Sequence, residues 1–256
     1  MPEPEPVASH LLRGLRLLAL LLLILAGVLI SLLAFGWLSA GARDRVAHRW
    51  FRLVLVALGV RLRVSGQTML PSRPTLLVAN HVSWLDIAAI SAVRPVRFVS
   101  KHDVRDWPLM GWLATRAGTL YLDRSRGREA RRVTHALTHA LAAGQRVVVF
   151  PEGTTTDGRH VLPFKPMLLQ AAIDAEACVV PVSLLYLDAA GRPTTAAAFT
   201  GDMSFFDTLL NIVAARRLQA AVDFHPPVDS QGLDRSALAA ISESAIRAVV
   251  EPDPVS

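Results

Sequence analysis

Hydrophobic and polar positions divide the chain into three stretches of different periodicity. Residues 17–38 read LLALLLLILAGVLISLLAFGWL, an uncharged run of 22 residues, where about 20 apolar residues suffice to cross a bilayer as a helix. This predicts a membrane-embedded helix, longer than the apolar region of a cleaved signal peptide. Residues 46–60, VAHRWFRLVLVALGV, are apolar but carry His48, Arg49 and Arg52. That mixture suits a helix lying in the membrane interface, with Trp37 and Trp50 at headgroup depth. A core helix of the globular part is the alternative.

After Gly59 the segment VRLRVSG alternates as a half-buried strand does, and Pro71 and Pro74 mark a turn. Short apolar strands are expected at 75–79, 96–100, 119–122, 147–150, 178–187 and 220–224. Helical spacing falls between and after them at 85–93, 109–117, 128–143, 167–176 and 236–250, with Gly144 as a stop signal. Helices alternating with short, fully apolar strands imply an α/β fold, a mostly parallel sheet flanked by helices on both faces. The expected layout is residues 1–58 as N-terminal membrane-anchoring helices and 59–256 as one globular domain.

Composition narrows the partners. The formal net charge is +6, and because Lys101 and Lys165 are the only lysines the cations are nearly all arginine, the residue that grips phosphate bidentately. Such a charge fits nucleic acid, an anionic membrane or a phosphorylated substrate; the apolar N-terminal run favours the membrane and argues against nucleic acid. Arg13 and Arg16 precede the run, while Arg43, Arg45, Arg49 and Arg52 follow it. The larger cationic group on the C-terminal side predicts a globular domain facing the cytoplasm. Cys178 is the single cysteine, which excludes an intrachain disulfide and a cysteine-based metal site.

Two short segments carry candidate chemistry. In Asn80-His81-Val82-Ser83-Trp84-Leu85-Asp86 a histidine and an aspartate stand five apart just after a buried strand. Across a strand-to-helix turn the carboxylate can reach back to one ring nitrogen, the orienting half of a catalytic triad whose nucleophile would be a substrate hydroxyl. In Phe150-Pro151-Glu152-Gly153-Thr154 a Pro-Glu-Gly corner again follows an apolar strand, where open α/β sheets build their ligand sites. Gly153 lets backbone approach a ligand, and Glu152 can accept a hydrogen bond from a polyol hydroxyl. His135 and His139, four apart on a helix, have no third metal ligand in a known pattern and read as surface or packing residues. No Gly-rich dinucleotide loop, phosphate-binding Gly-Lys-Ser/Thr loop or Gly-x-Ser-x-Gly elbow occurs.

Taken together, residues 60–190 resemble the glycerolipid acyltransferase family that includes bacterial 1-acylglycerol-3-phosphate acyltransferases. The signature Asn-His-x-Ser-x-x-Asp is met by Asn80, His81, Ser83 and Asp86, and a glycine before a strand ending in arginine by Gly118 and Arg124. Phe150 to Thr154 supply Phe-Pro-Glu-Gly-Thr, and Pro181 the proline within an apolar strand. The resemblance implies that His81 and Asp86 are catalytic. It also implies that Asn80, Ser83, Arg124, Glu152, Gly153, Thr154, Lys165 and Pro181 bind substrate, and that no metal or resident cofactor takes part. The implied partners are a lysolipid acceptor, an acyl thioester donor on coenzyme A or acyl carrier protein, and the bilayer, at a bacterial inner membrane. Many phosphatidate-forming members follow the threonine of the third signature with arginine or a similar donor, whereas Thr155-Thr156-Asp157-Gly158 follows here. That run, with Leu162-Pro163-Phe164-Lys165 after it, also looks like lyso-ornithine lipid acyltransferases and some lysophosphatidylcholine-type enzymes.

Overall fold

The protein, seen in a computed structural model, is described here for residues 7–101, 106, 110–116, 119–122 and 127–252. Its centre is a seven-stranded sheet in the order β1-β7-β6-β2-β5-β3-β4. These are β1 Arg61–Ser65, β2 Thr75–Ala79, β3 Arg97–Lys101, β4 Leu120–Leu122, β5 Arg146–Val149, β6 Cys178–Leu187 and β7 Gln219–Phe224. Every neighbouring pair is parallel except β6 with β7, so the mostly parallel sheet expected from the apolar strands is present.

Side chains that alternate along the strands divide the core in two. On one face Leu77 and Ala79 of β2, Val148 of β5 and Val180, Val182 and Leu184 of β6 pack together. They meet the helices α2 Ala40–Leu58, α3 Leu85–Ser91 and α7 Phe205–Ala214. On the other face Leu76, Val78, Val147, Val149 and Val179 meet α5 Gly127–Ala142, α6 Gln170–Asp174 and α8 Arg235–Val250. The expected helix at 167–176 begins as a 3-10 turn, Pro166–Leu169, because proline opens it. α7 lies where no helix was expected; its start is fixed by Ser204 and Asp207, which cap each other's backbone N–H groups.

The N-terminal helices are not set apart from this body. Helix α1, His10–Leu33, begins at Ser9, whose hydroxyl accepts the N–H of Leu12, so it takes in Arg13 and Arg16 ahead of the apolar run. Arg16 is buried, and its guanidinium donates to the carbonyls of Val213 and Ala215 at 2.9 and 2.7 Å, capping the C-terminal end of α7. At the other end Arg116 of α4, Met110–Arg116, donates to the carbonyl of Ser31. Trp50 of α2 donates its indole N–H to the carbonyl of Leu23 and lies against Gly27, binding α1 to α2 in a hairpin. Its ring therefore packs between the two helices.

Helix α2 has the core contacts of the second alternative for 46–60 and an apolar outer side. Val54, Leu55 and Leu58 are buried in the main core, while Leu53 and Val56 point outward. Packing thus runs continuously through the expected boundary at residue 58. Gly59 closes the helix at φ +73°, and a Cβ there would stand 2.1 Å from the guanidinium of Arg16. Only glycine fits both conditions. On its inner side α2 lies along α3, where His48 Nδ1 is 2.8 Å from the carbonyl of Ser91.

Candidate active site

Parallel pairing of β2 with β5 places their carboxyl ends side by side, Val78 opposite Val149. His81 and Glu152, each just past its strand, become neighbours at the middle of the sheet. β6 is ten residues long against five for β2, so its second half overhangs and runs beside the segment 80–86. Asn80 uses this overhang: its amide donates to the carbonyl of Leu184 and accepts from the N–H of Leu184, at 2.9 and 2.7 Å. The clamp holds the turn at which His81 leaves the sheet.

Asp86, in the first turn of α3, reaches back across that turn. Its Oδ2 stands 2.8 Å from His81 Nδ1 and accepts the N–H groups of Val82 and Ser83 at 2.8 and 3.0 Å. Oδ1 accepts the hydroxyl of Tyr186 at 2.7 Å. The carboxylate is fully buried with four donors on it, an arrangement that satisfies an ionised group. His81 therefore carries its hydrogen on Nδ1, and its side chain is 22% exposed. No described residue bonds Nε2, which leaves that nitrogen open as an acceptor. Phe150 stacks on the imidazole with centroids 4.0 Å apart and planes 14° from parallel, and Phe98 lies beyond Phe150 at 6.3 Å.

Glu152 is 2% exposed, and both oxygens are engaged: Oε1 accepts the N–H of His81 at 2.7 Å and Oε2 the N–H of Leu162 at 2.9 Å. Burial pushes its carboxyl up to about 6, opposed by these two N–H groups and by His81. The chain after Glu152 is a strap held from several sides. Lys165 donates its N–H to the carbonyl of Pro151. From α8, Glu243 accepts the N–H of Phe164 and Glu251 that of Val161. Arg247 binds both of these carboxylates and the carbonyl of Val161.

The expected site residues therefore separate into those at the pocket and those behind it. His81 and Asp86 meet as predicted. Three residues expected to contact substrate have their polar groups turned to the protein's own backbone. Asn80 is fully buried with its amide on β6, Ser83 is fully buried with its hydroxyl accepting the N–H of Leu85, and Glu152 has both oxygens on backbone. None presents a free group, and all three position His81 and Asp86. Pro181 is a fourth, buried within β6, where its carbonyl accepts the N–H of His225. Gly153 turns the corner at φ +78°, and Thr154 and the side chain of Lys165 are exposed beside it. Arg124, with Gly118 and Arg126, lies outside the described residues. His135 and His139 are exposed on α5.

Thr155 and Thr156 are latches. The hydroxyl of Thr155 donates to the carbonyl of Phe199, and the N–H of Thr156 to the carbonyl of His81 at 2.8 Å. Phe199 in turn donates its N–H to Val82. Two functional groups escaped the sequence reading, Tyr186 and the ring of Phe150. Strand alternation would have put Tyr186 on the α3 face of β6, but nothing in the sequence gives the register of β6 against β2, which sets Tyr186 opposite Asp86.

Comparison with known proteins agrees with this geometry. The family described as Acyltransferase matches residues 61–185. The chain is 39% identical over 205 residues to a lyso-ornithine lipid O-acyltransferase of Pseudomonas aeruginosa, covering 80% of this chain and 78% of that one. It is 38% identical over 213 residues to a 1-acyl-sn-glycerol-3-phosphate acyltransferase of Neisseria meningitidis, covering 83% of each. The crystal structure of the 1-acyl-sn-glycerophosphate acyltransferase of Thermotoga maritima has the same fold, with a TM-score of 0.66 at 21% identity over 94% of this chain and 99% of that one. The chain belongs to the glycerolipid acyltransferase family. It is an enzyme that transfers acyl groups.

Proposed function

We propose that this acyltransferase moves a fatty acyl group from an acyl thioester, carried on coenzyme A or acyl carrier protein, to the free hydroxyl of a lysolipid. The acceptor is 1-acyl-sn-glycerol 3-phosphate and the product phosphatidic acid. The observation that carries this reading is the open Nε2 of His81 on a ring whose opposite nitrogen is held by a buried, four-bonded Asp86. Nε2 takes the proton of the acceptor hydroxyl as its oxygen attacks the thioester carbonyl carbon. A tetrahedral intermediate forms, the carbon–sulfur bond breaks, and the imidazolium returns the proton to the departing thiolate. Asp86 orients the ring and stabilises its charged form.

The hairpin supplies the lipid side of this proposal. Leu18, Leu21, Leu22, Leu25 and Leu29 of α1 are each more than half exposed, and burying each CH₂ in an acyl environment is worth about 0.8 kcal/mol. Both ends of α1 are bonded to one body. That supports a hairpin set into one leaflet beside the catalytic domain, in place of the crossing that length alone predicts. The arginines that follow α1 favour the cytoplasmic face of a bacterial inner membrane.

A second reading, a lyso-ornithine lipid as acceptor, is favoured by the engagement of Thr155 and Thr156 with backbone, which leaves neither free to grip a phosphate. Its other support is the similarity to lyso-ornithine lipid O-acyltransferases. One panel decides. Purified enzyme in lipid vesicles is given labelled acyl-coenzyme A or acyl carrier protein with lysophosphatidate, lyso-ornithine lipid or lysophosphatidylcholine. Preferred conversion of lysophosphatidate supports the first reading and of lyso-ornithine lipid the second; the absence of any diacyl product sinks both.

A further inference from the structure

The four hydrogen bonds on Asp86 are divided unequally. Oδ2 takes the ring of His81 and two backbone N–H groups, whereas Oδ1 takes only Tyr186 among the described residues. We propose that Tyr186 is a positioning residue for acyl transfer: its hydroxyl locks the Asp86 carboxylate against rotation and draws off part of its charge, setting the orientation and basicity of His81. The inference rests on the reading of His81 as general base.

The sense of the bond is fixed by chemistry. A carboxylate has no hydrogen to give, so the phenol donates. Burial, and then the charge of Asp86, hold the Tyr186 hydroxyl well above the ordinary phenol range, so it remains protonated at any working pH. The ring packs on the same face of β6 as Cys178, Val180, Val182 and Leu184. Phenylalanine would fill that space equally well, and the hydroxyl makes one hydrogen bond, to Oδ1.

Rotation of the carboxylate would carry Oδ2 away from His81 Nδ1. Three donors already hold Oδ2, and Tyr186 fixes the opposite corner. The titratable groups facing Asp86 are His81 after β2, Glu152 after β5 and Tyr186 on β6, while His48 of α2 meets only the far end of α3. Without the hydroxyl, Asp86 keeps more charge for the ring. The imidazolium is then stabilised, and the base becomes protonated at higher pH.

The test uses the full-length enzyme and its acyl-transfer rate. Tyr186→Phe is expected to lower kcat about tenfold with KM for both substrates within about twofold, and to move the acid limb of the rate profile to higher pH. The chain has two tyrosines, Tyr121 and Tyr186, so 3-fluorotyrosine supplied to Tyr121→Phe protein enters at 186 alone. Its more acidic hydroxyl donates more strongly, and the acid limb is expected to move to lower pH. Opposite shifts support the proposal; limbs that stay in place overturn it, and if the phenylalanine variant does not fold, the fluorotyrosine arm decides. An active His81→Ala enzyme would overturn the underlying reading, whereas an inactive one with unmoved limbs removes Tyr186 alone.

Discussion

His81 Nδ1 and Asp86 Oδ2 lie 2.8 Å apart across a turn of five residues, close enough that the ring cannot change tautomer without losing that bond. Asp86→Asn presents an amide where the ring nitrogen needs an acceptor, and its loss in kcat is expected at ~10³ or more, as in hydrolase triads. His81→Ala should be at least as damaging. Both proteins should remain with the membrane fraction. Purified His81→Ala turning over at a rate near that of the parent would end the general-base mechanism.

Glu152 gives a pH dependence of definite sign. Its carboxyl sits at about 6 in the folded protein, above the ordinary glutamate value, so between the two values the folded state binds more protons than the unfolded one. Stability contributed at this site therefore falls as pH rises through that window, by about 2 kcal/mol in all. Glu152→Gln should abolish that slope, measurable by denaturant titration from pH 4 to pH 7. Activity should run the other way, because an ionised Glu152 accepts both the His81 and Leu162 N–H groups. A stability curve for Glu152→Gln parallel to that of the parent would contradict this account.

Asn80 belongs to the fold more than to the substrate. Asn80→Ala leaves the buried N–H and carbonyl of Leu184 without partners, an expected cost of about 2–3 kcal/mol. Thermal unfolding should show it. KM for either substrate should be unchanged in the protein that remains folded, and a selective rise in KM with normal stability would restore Asn80 to the pocket.

Arg16 joins the lipid-facing helix to the catalytic body. Arg16→Met keeps the stem but strips the last carbonyls of α7 of their charged donor, at an expected cost of about 1.5–3 kcal/mol. The chain at Arg216 and Arg217, exposed just beyond, should then be cut faster by trypsin. An unchanged digestion rate and thermal midpoint would mean that α1 is held by other contacts.

Much of the fold could be read from periodicity because the central strands β2, β5 and β6 are apolar on both sides and β1 alternates. All seven strands lie within a residue or two of their expected positions. What periodicity does not report is register. The register of β6 against β2 decides that Asn80 faces Leu184 and that Asp86 faces Tyr186, and no local pattern encodes it. Ser83 and Glu152 were legible as site residues by position but not by role, since a buried carboxylate on backbone N–H groups looks in sequence like one that meets a ligand. Helix α7 had a usable signal in Ser204 and Asp207 ahead of an apolar run, although Asp207 is a less common partner there than glutamate.

The strap that follows Glu152 is fastened by Glu243, Arg247 and Glu251, residues from the final helix. Helix α8 and the residue after it thus brace the strap from 79 to 90 positions downstream. Substitutions that remove these three side chains are therefore expected to loosen the strap and slow turnover, although none of them touches His81 or Asp86.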